Sequence, residues 1–488
     1  MAVRQLPDAI LAVFLAVARS LLVAFRRVTL MQVVIVEMRV ALPLFHKKPD
    51  YDVSIGARHF SLNDIVGLSQ FVRLRKENTK ITVAYLPHLT LKYGVIRPEE
   101  AVILCLFDGW RSLEEVIIAA SIIGDMSYEE AQNSVLGLMN KVSPDATMFI
   151  KCTGENHRHN FDARNFFISP NKVDLTTRLD APLALVLQPT PICEANCVYC
   201  YACRREGNPA EQLSFNRICE LLDEANTIGI YQVNLCGGDG FCRSDFVKII
   251  KACLERNLIV DISTKCEVSS EIARELASMG LDYIQVSIDT YDEKTADYLY
   301  GKTGHFKKVV QTIRNLLSAG VYTRTNSIVT PYNYDHIKQT IEFLKSLGIR
   351  EMKFAPAFRS SFRDNLKCLL SFEQKSHFRK MMAEIEVEYA RQGVTIFHEA
   401  MKDYTEMTPE EKKEYWFQKR AFCSSGRSSM IVAFDGNVIL CEESPQEPEY
   451  FVGNVKTQSI KDIWDSRRIL HFIYPSRWRF AYTPCYSC

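Results

Sequence analysis

The sequence has almost no net charge: 59 lysines and arginines face 58 aspartates and glutamates, for +1 at pH 7. A basic face of the kind that grips phosphates is not visible in these numbers, so no nucleic-acid partner is expected. The sequence also lacks an uncharged apolar run of the roughly 20 residues that a bilayer span requires. Two apolar stretches near the start, "AILAVFLAVARSLLVA" (9–24) and "LMQVVIVEMRVALPLF" (30–45), enclose Arg19, and Glu37 with Arg39, respectively. They read as an amphipathic helix or as an extension upstream of a start at Met31 or Met38, with a signal peptide as the remaining option. A cytoplasmic location without a membrane partner is expected. Around "GKTG" (301–304) the GxxxxGK[ST] frame is missing, so this is not a P-loop. No residue can be named from sequence as a general base, so the catalytic residues are unknown from sequence.

Cysteine, by contrast, is plentiful, with 16 in 488 residues. Disulfide scaffolds belong to short secreted domains, and this chain is long. The cysteines gather at 193–203 and 423–488, a grouping that favours metal ligation in a reduced protein. Cys105, Cys152, Cys219, Cys253 and Cys368 read as core or surface thiols; Cys236, Cys242 and Cys266 lie near strand ends, where they could face a cavity. His157 and His159 read as loop residues.

The length suggests two to four domains at about 100–200 residues each. Residues 1–60 read as a poorly defined extension. Residues 70–150 read as a small helical module with strands: "ITVAYLPHLTLKYG" alternates like a hairpin, and "RPEEAVILCLFDGW" reads as a helix ending at Asp108-Gly109. Two capping boxes follow, Ser112 with Glu115 and Ser127 with Glu130. Strands with three helices fit a winged helix-turn-helix. From about 180 to 360, six β-rich runs ("LALVLQ", "YQVNLC", "LIVDIST", "YIQVSID", "VYTRTNSIVT", "EMKFAPA") alternate with helical stretches. This is the pattern of βαβ units and a parallel sheet, here a partial (β/α)6 TIM-like barrel in an α/β fold. Residues 361–420 read as bridging helices. Residues 421–488 hold a hairpin turning at Asp435-Gly436 and a short helix.

The stretch "PTPICEANCVYCYAC" puts Cys193, Cys197 and Cys200 in a CxxxCxxC spacing directly after the first β-rich run. A cubane cluster normally takes four thiolates. Three leave one iron open for a small chelating ligand, as an incomplete shell does in catalytic zinc sites. A zinc loop, or a fourth ligand from Cys203, is the alternative. The spacing, with Tyr199 before the last cysteine, resembles the signature of the radical S-adenosylmethionine enzymes. The resemblance implies a [4Fe–4S] cluster on the three cysteines, with S-adenosylmethionine on the open iron. It also implies a 5′-deoxyadenosyl radical that abstracts hydrogen from a substrate. "NLCGGDGF" matches the family's Gly-Gly-Glu segment at Gly237 and Gly238, with Asp239 for Glu and Gly240 for the usual Pro. The resemblance makes Gly237, Gly238, Asp239, Thr264, Ser287 and Asn326 cofactor contacts, with the adenine amino group at the backbone near Tyr199. It leaves Asp289 as a structural residue or a contact.

Cys423, Gly436 and Cys441 fit C-x12-G-x4-C, which resembles the opening of a SPASM or twitch auxiliary-cluster domain, and Cys485 and Cys488 add C-x2-C. The resemblance implies one auxiliary [4Fe–4S] cluster on these four, or two if the tail is a truncated SPASM domain. Structural zinc is the alternative. Residues 70–145, with "FVRLR" and the two capped helices, resemble a precursor-peptide recognition element. Such modules take a leader peptide as an added strand. Together the resemblances imply a maturase of the sactipeptide or ranthipeptide type. Its partners would be a leader-bearing precursor peptide and an electron donor such as flavodoxin or ferredoxin, and its product a thioether or other crosslink. The alternatives are a radical dehydrogenase, oxidase or epimerase acting on a protein side chain, peptide or small molecule, and a non-catalytic iron–sulfur peptide adaptor.

Overall fold

The computed structural model describes residues 58–86, 91–144, 146–152, 161–200, 209–360, 363–399, 424–442 and 447–474, the backbone of 52–55, and Thr408, Glu410 and Ser444. The apolar stretches before residue 52, His157, His159, Cys203, Cys423, Cys485 and Cys488 lie outside the described residues. The chain divides into two compact units, Met1–Asp180 and Ala181–Cys488.

In the first unit, β1 (Asp52–Ile55) and β2 (Arg58–Ser61) form an antiparallel pair at the end of the segment 1–60 expected to be undefined. Strand β3 (Ile65–Leu68) is followed by β4 (Arg73–Lys76), β5 (Ile81–Tyr85) and β6 (Lys92–Ile96). β4–β5–β6 is an antiparallel meander, and β5–β6 is the expected hairpin, with Ile81 opposite Ile96. Helix α1 (Pro98–Cys105) then leads into β7 (Asp108–Ser112). The sequence pattern extends this helix to Asp108-Gly109, but the chain leaves it at Leu106. Asp108 instead accepts from Trp110 N at 3.0 Å and pairs with Arg111, which commits the segment to a strand. β3 lies between β7 and β8 (Phe149–Lys151), antiparallel to both. Both capping boxes form: Ser112 opens α2 (Leu113–Gly124) and Ser127 opens α3 (Tyr128–Val142). Val66, Val83, Leu104, Val116, Val135 and Phe149 share one apolar core.

The second unit is built on one ten-stranded sheet. Its parallel strands run in sequence order: β9 (Ala184–Leu187), β10 (Gln232–Leu235), β11 (Ile259–Thr264), β12 (Ile284–Ser287), β13 (Thr323–Val329) and β14 (Glu351–Pro356). These are the six expected strands. Their crossovers carry α4 (Phe215–Thr227), α5 (Phe246–Leu254), α6 (Ser270–Ser278), α7 (Glu293–Tyr300), α8 (His305–Ser318) and α9 (Ile337–Leu347).

Two strands extend the expected set. After α10 (Phe372–Ala390), β15 (Thr395–His398) joins β14 in parallel, so the segment expected to hold only bridging helices also supplies a strand. At the other edge, β16 (Ser429–Val432) of the tail hairpin pairs in parallel with β9, then turns into β17 (Asn437–Ile439) and on to β18 (Gly453–Asn454). The tail thus continues the barrel sheet. α11 (Ile460–Trp464) and α12 (Arg467–Ile473) close the described chain.

Alternation along the strands separates two faces. Leu185, Val233, Val260, Val286 and Met352 are buried in the helix-side core. From β10 to β14 the intervening residues are mostly polar. Asn234 Nδ2 reaches Asp261 at 3.4 Å, and Arg324 lies 3.2 Å from Asp261 and 3.8 Å from Glu351. Gln285 donates to Ser263 at 2.9 Å, and Ser263 meets Ser287 at 3.4 Å. Burial pushes the Asp261 carboxyl up, against the pull of Arg324. An interior of this kind receives a polar guest more readily than an apolar one.

Candidate active site at the strand exits

The loop after β9 carries the three cysteines. Cys193 is exposed, and Cys197 and Cys200 are half-buried. Its backbone is pinned from several sides. Asn196 N donates to Tyr300 O and Val198 N to Leu299 O, both at 2.9 Å. Arg363, after β14, donates to Cys197 O at 2.6 Å and to Asn196 Oδ1 at 3.2 Å. Glu194 accepts from Lys302 and Lys308, each at 2.9 Å. Burial opposes ionisation of Glu194, but these two lysines outweigh it and bring its pKa down to about 2.

Two glycines let other elements close on this loop. Gly238 N donates to Thr190 O at 3.1 Å and Asp239 N to Ile192 O at 2.8 Å. A Cβ on Gly238 would stand 2.4 Å from the carbonyl oxygens of both Thr190 and Ile192. A Cβ on Gly301 would stand 2.5 Å from Asn196 O. The glycines are therefore required by backbone approach. Gly240, where the family usually has Pro, lies under the Phe246 ring: a Cβ there would come within 2.2 Å of it.

Asp239 is 8% exposed and fully engaged. Its carboxylate accepts from Thr264 Oγ1 at 2.8 and 2.9 Å, Lys265 N at 2.7 Å, Cys266 N at 3.1 Å and Phe241 N at 3.2 Å. It ties the exit of β10 to that of β11. Thr264, expected at the cofactor, spends its hydroxyl proton on this carboxylate.

The Tyr199 ring is buried, and its hydroxyl donates to Asp289. Lys265 Nζ donates to the same hydroxyl at 2.6 Å, lies 3.9 Å from Asp289 Oδ2, and sits over the Tyr199 ring at 5.1 Å. Burial works against the charge on Lys265, yet Asp289 and the neighbouring thiols hold its pKa above the usual lysine value. Burial, reinforced by Asp289, pushes the Tyr199 hydroxyl well up. Asp289 also accepts from Ile328 N at 2.9 Å, linking β12 to β13. Tyr199 O accepts from Asn365 Nδ2 at 3.3 Å. Lys265, Asp289, Arg363 and Asn365 thus support the loop. Of these, only Asp289 was singled out from sequence. Lys265 had a legible signal: it continues the β11 face that carries Asp261 and Ser263.

Ser287 and Asn326 lie opposite each other on β12 and β13. Asn326 Oδ1 is buried and has no hydrogen-bond partner among the described residues. Gln188, 1% exposed at the exit of β9, has the same unmet need at Oε1. Its Nε2 reaches Glu442 at 3.5 Å, and Cys236 Sγ meets that carboxylate at 3.2 Å. Exposed Cys441 directly precedes Glu442, which puts the tail's described cysteine beside the exits of β9 and β10. Gly237 completes the segment between Cys236 and Gly238.

Among the described residues, no three His, Cys, Asp or Glu side chains converge as ligands of a single ion. A cubane asks for something different, since its thiolates hold separate corners of a larger body. Three cysteines on one pinned loop, beside a strand wall with unmet acceptors, supply a donor set of that chemistry. Among the described residues no helix is long and apolar enough to cross a membrane.

The parallel sheet and its three-cysteine loop define a class. Residues 187–344 match the Radical SAM superfamily. Residues 423–488 match SPASM, an iron–sulfur cluster-binding domain, so the chain carries a Radical SAM domain and a SPASM domain. These domains imply [4Fe–4S] clusters and S-adenosylmethionine. The chain is 23% identical over 309 residues to the PqqA peptide cyclase of Methylocella silvestris, covering 63% of this chain and 80% of the relative. It is 24% identical to the AdoMet-dependent heme synthase of Methanosarcina barkeri, covering 59% and 84%. Among solved structures, Streptococcus suis SuiB bound to S-adenosylmethionine superposes with a TM-score of 0.60 at 16% identity, covering 86% of this chain and 93% of that one. The same protein bound to the precursor peptide SuiA gives 0.57, also at 16% identity, covering 84% and 90%.

Proposed function

We propose that the chain is a peptide maturase. Cys193, Cys197 and Cys200 would hold the cluster that chelates S-adenosylmethionine, and Cys423, Cys441, Cys485 and Cys488 an auxiliary one. When bound, the nucleoside supplies a 5′-deoxyadenosyl radical that abstracts hydrogen from a core peptide; the product is a thioether or related crosslink. Asn326, Ser287 and the Gly237–Asp239 segment would contact the nucleoside. Of these, Asp239 acts through its backbone, since its carboxylate is already engaged. Residues 70–150 would be a winged-helix module that takes the leader peptide, with 180–360 the barrel and 421–488 the cluster domain. Flavodoxin or ferredoxin would supply the electron.

The observation that carries this reading is the extent of the shared fold. The alignment with SuiB covers 86% of the chain, more than the second unit alone could supply, so it reaches into the front unit. The named relatives include a peptide cyclase, and the neighbour has been solved with a precursor peptide. The test is to incubate reconstituted protein with a leader-bearing peptide. A product lighter by two hydrogen atoms supports crosslinking; an unchanged mass with inverted stereochemistry points to an epimerase.

The heme synthase relative favours a second reading, a radical enzyme acting on a small molecule. There the front unit would be dispensable, and a chain lacking residues 1–150 would turn over undiminished.

A further inference from the structure

Cys242 and Cys266 come from different strand exits. Cys242 ends the short 3-10 turn Gly240–Cys242 after β10, and Cys266 follows β11 by two residues. Their sulfurs are 3.4 Å apart. Both backbones hang from one residue: Cys242 N donates to Asp239 O at 2.9 Å, and Cys266 N to Asp239 Oδ2 at 3.1 Å. Cys266 is 4% exposed, whereas Cys242 is half-buried. Neither belongs to the cysteine sets of the two clusters.

We propose that Cys242 and Cys266 are a disulfide-forming site, oxidised by low-molecular-weight disulfides of the glutathione class. Access assigns the roles, because only Cys242 can be reached from solvent. The pair's electrostatics agree. The Cys266 thiol shares its proton with Cys242, which lowers the Cys242 pKa and raises that of Cys266. A nucleophile of lowered pKa with a resolving partner is the usual arrangement of an exchanging dithiol. The Cys242 thiolate attacks one sulfur of the external disulfide, and one glutathione leaves as thiolate. The Cys266 thiol then gives up its proton and attacks the Cys242 sulfur, and the second glutathione leaves. Two protein thiols are oxidised by two electrons, and one small disulfide is reduced to two thiols. The bond ties the exit of β10 to that of β11 around Asp239, fixing the Gly237–Asp239 segment against the cysteine loop.

The test treats the cluster-loaded full chain anaerobically with glutathione disulfide, then alkylates and digests it with trypsin without reduction. The expected result is a linked pair, Ile218–Arg243 with Cys266–Arg274, whose fragmentation puts the bond at Cys242 and not at Cys219 or Cys236. In Cys266→Ser, Cys242 should keep the glutathione as a mixed disulfide. In Cys242→Ser, Cys266 should remain an unmodified thiol. Iron content confirms that each variant is loaded. Wild-type protein in which both cysteines stay alkylatable overturns the proposal. So does a Cys242→Ser variant whose Cys266 is glutathionylated as fast as wild type reacts.

Discussion

The exits of β10–β12 and the wall of β13 treat their polar groups in opposite ways. At the exits every acceptor is in use: Asp239 collects hydrogen bonds from four residues, and Asp289 serves Tyr199, Ile328 and the nearby Lys265 charge. On the wall, Asn326 Oδ1 is buried and waiting. An unmet buried acceptor costs about 1–3 kcal/mol, so it persists where a ligand can meet it. The comparison separates residues that hold the cysteine loop in place from residues left to bind. It also puts the Asp239 carboxylate and the Thr264 hydroxyl, both from residues the family resemblance marks as cofactor contacts, among the groups that hold the loop.

Substitutions can break this contrast. The largest effect is expected from Asp239→Ala, which strands the Phe241 and Lys265 N–H groups and the Thr264 hydroxyl, while Cys266 N keeps Thr264 Oγ1 at 2.9 Å. At about 1.5 kcal/mol for each bond to a charged group, that costs about 4.5 kcal/mol of stability, read by denaturant unfolding, and loosens the cluster loop. Gly238→Ala should follow, at about 3 kcal/mol, because its Cβ has only backbone to displace. Its cluster should lose the spectral response to S-adenosylmethionine even when iron content is normal. Lys265→Met removes the cation beside a buried carboxylate. A change of about 2 kcal/mol is expected, below the full value for a buried pair because Lys265 keeps some exposure; Lys265→Arg should recover part of it. Asn326→Ala should be smallest in stability, within about 0.5 kcal/mol, since the side-chain oxygen has no partner to lose. Yet it should weaken nucleoside binding about tenfold, near 1.4 kcal/mol, by equilibrium dialysis. If Asn326→Ala destabilises as Asp239→Ala does, the division between holding and binding residues fails.

The alternation of six strands with helices was legible because the hydrophobic period switches cleanly between 2 and 3.6. Both capping boxes and the hairpin at Asp435-Gly436 were legible for the same local reason. β15 was hidden because "TIFH" is a short run after a long helix, and its strand character comes from pairing with β14. The parallel pairing of β16 with β9 joins residues about 245 apart, which no local pattern reports. At the site, Cys193, Cys197 and Cys200 stood out by spacing. Arg363 and Asn365 did not, since both reach the loop from beyond the exit of β14, and Lys265 showed only as the continuation of the polar β11 face.

The central claim is that three thiolates on the β9 loop hold a cluster with one iron open to S-adenosylmethionine. The most direct measurement uses a variant with Cys423, Cys441, Cys485 and Cys488 all changed to Ala, reconstituted and reduced without oxygen, and followed by electron paramagnetic resonance. The account predicts a single reduced [4Fe–4S] signal that changes when S-adenosylmethionine is added. A variant that takes up iron but gives no such signal, or one indifferent to the nucleoside, would contradict it.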